Sequence, residues 1–198
     1  HFDVLCDGKF NCNMDLGVLG RHNTMNALAV AATSWVMGIP GQKVTDGVKA
    51  FHGAVRRMEY KGEYRGAKVY DDYAHHPDEL RATLEAVRGM GDHRIVLAFQ
   101  PHTYTRTKLL MDDFIRELQK ADVVVLAEIY AARESNTIGI SSADLAAQIP
   151  GSIYCETLQD VTDCLRSIVR EGDIVLTMGA GDIFRAGEAL LSGEDSKK

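Results

Sequence analysis

Apolar positions along the chain follow one pattern up to about Arg56 and another beyond it. In the first stretch, residues 2–19 alternate as two short strands around a turn at Asp7-Gly8. Met25, Leu28, Ala29, Ala32, Trp35 and Val36 then recur at helical spacing, and Gly38 and Pro40 stop that helix. A second short helix from about Gln42 to Phe51 is expected to bury Val44, Val48 and Phe51. Trp35 is expected in the core. Two strands and two helices are too little to bury a core alone, so this stretch reads as the last piece of another domain.

Beyond Arg56 the order becomes strand, helix, strand, helix. MEYKGEYRGAKVY predicts a hairpin with its turn near Gly62 to Gly66, and its second strand covers Lys68–Tyr70. Pro77–Met90 predicts a helix with Leu80, Leu84 and Val87 on one face. Arg94–Phe99 is a near-continuous apolar strand, and Thr107–Lys120 a helix carrying Leu110, Phe114 and Leu118. Asp122–Ile129, Ser152–Cys155 and Asp173–Met178 read as further strands. Capping patterns at Ser141/Asp144 and Thr157/Asp160 open two helices, the second with Leu158, Val161, Leu165 and Ile168 facing inward. Ile183–Leu191 is the last helix, and SGEDSKK is expected to be disordered. Buried strands alternating with amphipathic helices predict an α/β fold, a mostly parallel sheet covered on both faces. The domain boundary is expected between Phe51 and Gly62.

The 198 residues suffice for one good core or two small ones. No apolar run reaches bilayer length, and HFDVLCDGKF lacks the basic-then-apolar pattern of a secretory leader. That opening reads as a strand without an initiator Met, so a fragment is expected. A net charge of −6 with no basic stripe argues against a nucleic-acid partner. The four cysteines form no C-x-x-C pair and are expected as free thiols in a reducing cytoplasm.

Candidate chemistry collects where strands end. DDYAHHP follows Val69, QPHTYTR follows Phe99, EIYAARE follows Leu126, and GAGD follows Met178. Ligands of open parallel sheets bind outside the carboxyl ends of the strands, so four polar loops on one edge point to a site there. In the first loop Asp71, Asp72, His75 and His76 could bind hydroxyls, orient an anion or move a proton. Alternatively, some of them only cap the helix that opens at Pro77. In the second, Arg106 offers a planar fork for a carboxylate or phosphate, with His102 four residues before it; a solvated Arg and a structural His are the plainer readings. Gly179 and Gly181 suit an anion-binding turn or close strand–helix packing, and Phe184 stands where a third glycine would complete a dinucleotide fingerprint. Asn23 in GRHN could meet a base edge or cap the first helix. Arg56 and Arg57 could reach phosphates or make an interdomain salt bridge. No G-x-x-x-x-G-K-[ST] loop occurs in the chain.

GRHN, RRME, DDYAHHP, QPHTYTRT, EIYAARE and TMGAGDI, in this order, resemble the Mur ligase family over nearly the whole chain. DDYAHHP with QPHTYTRT is most similar to the branch that joins L-alanine to UDP-N-acetylmuramate. The resemblance implies that residues 1–57 end a central ATP-binding domain and that residues 58–198 form a Rossmann-like C-terminal domain. It implies a cytoplasmic ligase of peptidoglycan precursor synthesis. ATP converts a carboxylate to an acyl phosphate, the amine of L-alanine attacks it, and phosphate leaves. ATP and Mg²⁺ are the implied cofactors, with their main ligands upstream of this chain and no metal ligand within it. Carried over by position, Asn23 meets adenine with His22 beside it, Arg57 reaches the nucleotide and Asp72 its ribose. His75 and Arg106 hold a carboxylate as the catalytic pair, Tyr73 and His102 stand in the same wall, and Gly179 and Gly181 complete the substrate side. Some members carry Arg directly after the His of the QPH motif; here Thr103 stands there, which places more on Arg106. The family's ligase for a recycled tripeptide is the nearest alternative, followed by a metal-dependent hydrolase using Asp72, His75, His76 and His102, or a nucleotide-binding module without catalysis.

Overall fold

The computed structural model describes residues 1–18 and 20–193. It divides into two compact units, His1–Val55 and Arg56–Lys198. The C-terminal tail expected to be disordered lies, from residue 194 on, outside the described residues.

In the first unit, β1 (Phe2–Cys6) and β2 (Lys9–Met14) form an antiparallel hairpin. Its two turn residues, Asp7 and Gly8, both have positive φ, as a two-residue turn between twisted strands requires. Helix α1 (Arg21–Val36) and helix α2 (Gly41–Lys49) complete the unit. Val4, Cys12, Met14, Ala27, Ala31 and Val44 make its core. Thr45 ties α2 to β2, its hydroxyl donating to the Asn13 carbonyl at 2.7 Å. Gly41 lies so close to the Asn11 backbone that no side chain fits there.

Two expectations about this core are overturned. Trp35 and Phe51 are each half exposed, at 50%. The inward face of α1 is its small-residue stripe, Ala27, Ala31 and Ser34. Apolar residues occur on more than one side of this helix, so spacing alone could not say which side faces inward. Phe51 lies past the end of α2, where the helical phase that would have turned it inward is lost.

The second unit is built on six strands: β3 (Glu59–Tyr64), β4 (Ala67–Asp72), β5 (Ile95–Phe99), β6 (Val123–Ala127), β7 (Ile153–Cys155) and β8 (Ile174–Met178). Their order in the sheet is β3-β4-β8-β5-β6-β7. Only β3 runs antiparallel, joined to β4 through Arg65 and Gly66 at positive φ. On one face lie α3 (Pro77–Arg88), α5 (Met111–Leu118) and α6 (Ser142–Ala146), burying Leu80, Leu84, Phe114, Leu118 and Leu145. On the other lie α7 (Leu158–Ile168) and α8 (Phe184–Ser192), burying Val161, Leu165, Ala186 and Leu190. Successive strand residues feed opposite faces: Ile95, Leu97 and Phe99 one core, Val96 and Ala98 the other. This is the mostly parallel, doubly covered α/β sheet that the sequence pattern predicts.

The helix expected over Thr107–Lys120 is two, α4 (Tyr104–Leu109) and α5, with Leu110 leaving helical geometry between them at φ −109° and ψ 24°. Strand β4 runs two residues further than expected and takes in Asp71 and Asp72. All four cysteines are free thiols, and burial pushes Cys155 up to about 12.

Candidate functional site

Strands β4, β8, β5 and β6 are consecutive and parallel, so the loops after them emerge on one edge. Helices after β4 and β5 leave to one face, while α8 after β8 packs on the other. Such a divergence opens a crevice between strand ends, where ligands of this fold class sit.

At the β4–β8 end the organising side chain is Arg56. Its Nε donates to Asp71 Oδ2 at 2.8 Å, Nη2 to the Gly179 carbonyl at 2.6 Å and Nη1 to the Gly181 carbonyl at 3.2 Å. The guanidinium lies between the rings of Tyr73 and Phe184, 4.9 and 4.7 Å from their centroids. Asp71 also accepts from the Thr177 hydroxyl at 2.6 Å. One cation thereby fixes β4 to the turn after β8.

That turn holds Gly179 and Gly181. A Cβ on Gly179 would lie 2.7 Å from the Gln100 carbonyl oxygen, and one on Gly181 would strike the Gln100 side chain and the Tyr130 ring. Gln100 Oε1 accepts from the backbone N–H groups of Asp182 and Ile183, at 2.9 and 3.2 Å. Both glycines thus serve close packing, and these amides at the start of α8 are engaged with Gln100.

Asp72 is buried. Its Oδ2 accepts from the Met58 N–H at 2.9 Å and its Oδ1 from the Ala74 N–H at 2.8 Å. Burial raises its pKa above the usual carboxylate value, against the opposing pull of the two amides and Arg57. Arg57 is exposed, 5.8 Å from the Tyr73 ring centroid. His76 caps α3, in a capping box with Glu79.

His75 and His102 come together. Tyr73, His75, His102 and Tyr130 form a row of rings crossing the loops after β4, β5 and β6, with successive centroids 5.5, 5.8 and 5.6 Å apart. His75 Nδ1 lies 3.3 Å from Glu79 Oε2 and 3.0 Å from the Tyr73 carbonyl. His102 stacks on Tyr130, and its Nδ1 is buried with no partner among the described residues. Burial lowers the His102 pKa, with Arg106 and His75 adding to the effect. Arg106 Nη1 donates to the His102 carbonyl at 2.8 Å, and Arg106 has no ion pair among the described residues. The wall thus contains a neutral imidazole with a spare nitrogen and a guanidinium with donors to spare, a pairing suited to a small anion that also carries a proton donor.

The four proposed metal ligands do not converge. Asp72 is turned to backbone amides, His75 to Glu79 and His76 to its helix, and among the described residues no three such groups are placed to hold a metal ion. In the first unit Gly20 occupies the cap position of α1, so Asn23 is the third helical residue; the helix-cap reading of Asn23 is overturned. Asn26 Nδ2 donates to its Oδ1 at 3.3 Å, and His22 is exposed. Sequence reasoning passed over Arg56 as the fixed member of its Arg pair, and over Gln100, Tyr130 and Glu134. The loops were visible, but which side chain in each turns inward has no sequence signal.

The chain matches the family model described as Mur ligase, glutamate ligase domain, over residues 56–181. It belongs to the Mur ligase family. Among curated relatives, the UDP-N-acetylmuramate–L-alanine ligase of Lachnospira eligens is 44% identical over 96% of this chain and 42% of its own length. The crystal structure of the UDP-N-acetylmuramate–alanine ligase of Thermotoga maritima superposes with a TM-score of 0.80 at 29% identity, covering 97% of this chain and 42% of that one. A murein peptide ligase of Psychrobacter arcticus, at 22% identity and a TM-score of 0.66, covers 93% of this chain and 40% of its own and shares the fold. The chain therefore spans about two fifths of the length of the relatives it matches. Among the described residues no helix is long and apolar enough to cross a membrane.

Proposed function

We propose that this chain is the C-terminal part of an ATP-dependent ligase that joins L-alanine to UDP-N-acetylmuramate in peptidoglycan precursor synthesis, in the cytoplasm. The first unit ends the ATP-binding domain, and the second, from Arg56 on, is the domain that brings the amino acid. The observation that carries this is the ring row Tyr73–His75–His102–Tyr130 with Arg106 at its side. An amino acid of small side chain presents a carboxylate to Arg106 and His75, with its amino group toward the neutral His102 ring. Asn23 and His22 are the first unit's candidates for adenine, and Arg57 and Asp72 the second unit's for nucleotide contacts. The residues present suit this in part. Arg57 is exposed and can reach an anion, and each Asp72 oxygen keeps a lone pair beyond its backbone bond. ATP with Mg²⁺ supplies the activation of the sugar carboxylate as an acyl phosphate when bound.

The nearest alternative attaches a recycled tripeptide to the same sugar, and the likeness to the murein peptide ligase bears on fold alone. The Lachnospira relative at 44% identity favours L-alanine. Phosphate release by the full-length enzyme, with ATP and UDP-N-acetylmuramate, is expected with L-alanine and not with the tripeptide. Release with the tripeptide alone would reverse the assignment.

A further inference from the structure

The loops after β5 and β6 are joined beside the ring row at two points. Tyr130 N–H donates to the Pro101 carbonyl at 2.9 Å, and His102 pairs with Tyr130 as a parallel bridge. The second point is Glu134, further along the β6 loop. Its Oε1 accepts from the Thr103 hydroxyl at 2.6 Å and also from the Thr105 hydroxyl, and its Oε2 accepts from the Thr105 N–H at 2.9 Å. Thr103 stands at the cap of α4 without a capping bond of its own. A carboxylate from the neighbouring loop thus does the work a capping side chain would do, and engages the hydroxyls on either side as well.

We propose that Glu134 is a positioning residue of the amino-acid site, holding the turn from which His102 and Arg106 reach the substrate. The mechanical connection is short. Arg106 Nη1 bonds the His102 carbonyl at 2.8 Å. Thr107 bonds the Thr103 carbonyl through its N–H at 2.9 Å and its hydroxyl at 2.6 Å. Displacing Thr103 and Thr105 therefore moves Arg106 and the imidazole together. The three donors hold Glu134 down to about 2, so it stays ionised wherever the enzyme works. This assignment rests on Arg106 gripping the amino-acid carboxylate.

The test is steady-state kinetics of the full-length enzyme with Glu134→Ala and Glu134→Asp. A misplaced turn raises KM for L-alanine roughly ten- to a hundredfold in Glu134→Ala and leaves KM for ATP unchanged. Combined with Arg106→Lys, the loss is smaller than the two single losses multiplied together. Glu134→Asp keeps the charge and withdraws it by one methylene. It carries the same test where the alanine variant does not fold: a raised KM for L-alanine supports the role, and a wild-type KM overturns it. An equal decline in every kinetic constant together with a lower unfolding midpoint also overturns it, since that marks a purely structural carboxylate. Wild-type L-alanine kinetics in Arg106→Lys alone would instead remove the reading of the site on which the assignment rests.

Discussion

The Arg56 guanidinium meets the Asp71 carboxylate at 2.8 Å where Asp71 is almost fully enclosed, its side chain 2% exposed. Three further partners complete the arrangement: the Thr177 hydroxyl on the acid, and the carbonyls of Gly179 and Gly181 on the cation. Breaking a buried pair by removing one member strands the other charge. Arg56→Met is therefore expected to destabilise the second unit by about 3–5 kcal/mol. Urea unfolding of the chain measures this. A change below roughly 1 kcal/mol, the usual worth of an exposed pair, would show that Arg56 is not the tie between β4 and β8.

Much of this architecture was legible because period and burial agree. Ile95–Phe99 and Ile174–Met178 are buried along their whole length, as parallel strands between two helix layers must be, and their apolar runs say so. The capping boxes at Ser141 and Thr157 were readable because both partners lie within one turn. In the first unit the pattern misled: α1 has apolar residues on several sides, and only packing selects Ala27 and Ala31 over Trp35. At the site, the loops and His75, His102 and Arg106 stood out by residue type. Gln100 and Glu134 did not, because their partners, Asp182 and Thr103/Thr105, are distant in sequence.

His102 gives a pH-dependent expectation. Burial, then Arg106 and His75, lower its pKa below the ordinary 6.5, so the folded chain holds it neutral. The unfolded chain binds the extra proton first as pH falls. The stability from a neutral His102 is thus full above about pH 6.5 and declines below it, toward the lowered folded value. Wild-type protein should lose more stability between pH 7.5 and pH 5.5 than His102→Gln, both measured by urea unfolding. Equal losses would mean that His102 titrates as a solvated histidine. Ring ¹⁵N shifts would report the same titration directly.

Asn23 tests the nucleotide side. It occupies the third position of α1, not the cap, and its Oδ1 accepts from Asn26 Nδ2 at 3.3 Å. In the full-length enzyme, Asn23→Ala is expected to raise KM for ATP more than KM for L-alanine, by the loss of roughly 1 kcal/mol. An unchanged KM for ATP would confine Asn23 to the surface of α1.

These 198 residues contain no G-x-x-x-x-G-K-[ST] loop to cradle the β- and γ-phosphates. The isolated chain is therefore expected to release no phosphate from ATP above a protein-free blank when given both other substrates. Release that requires UDP-N-acetylmuramate and L-alanine together would place a complete nucleotide site within these residues.

Arg106 is the sharpest test of the amino-acid site. A free amino acid offers its carboxylate for recognition, and a guanidinium can hold it through two parallel bonds. One Arg106 nitrogen is committed to the His102 carbonyl at 2.8 Å, which orients the fork and leaves the other donors for substrate. Lysine keeps the charge and loses both the fork and that orienting geometry. Charge-assisted hydrogen bonds contribute about 1.5–3 kcal/mol, so Arg106→Lys in the full-length enzyme should lower kcat/KM for L-alanine roughly ten- to a hundredfold, with the fold intact. Thr103 supplies no neighbouring cation to compensate, and its hydroxyl is already bonded to Glu134. His75 stands 5.8 Å from His102 on the far side of the same wall. If His75 and Arg106 share one anion, His75→Ala should fall similarly, and the double variant should lose less than the sum of the two single losses in free energy. Full additivity would separate His75 from the carboxylate. Wild-type kinetics in Arg106→Lys would make Arg106 a loop-closing residue that serves the His102 carbonyl and not the substrate.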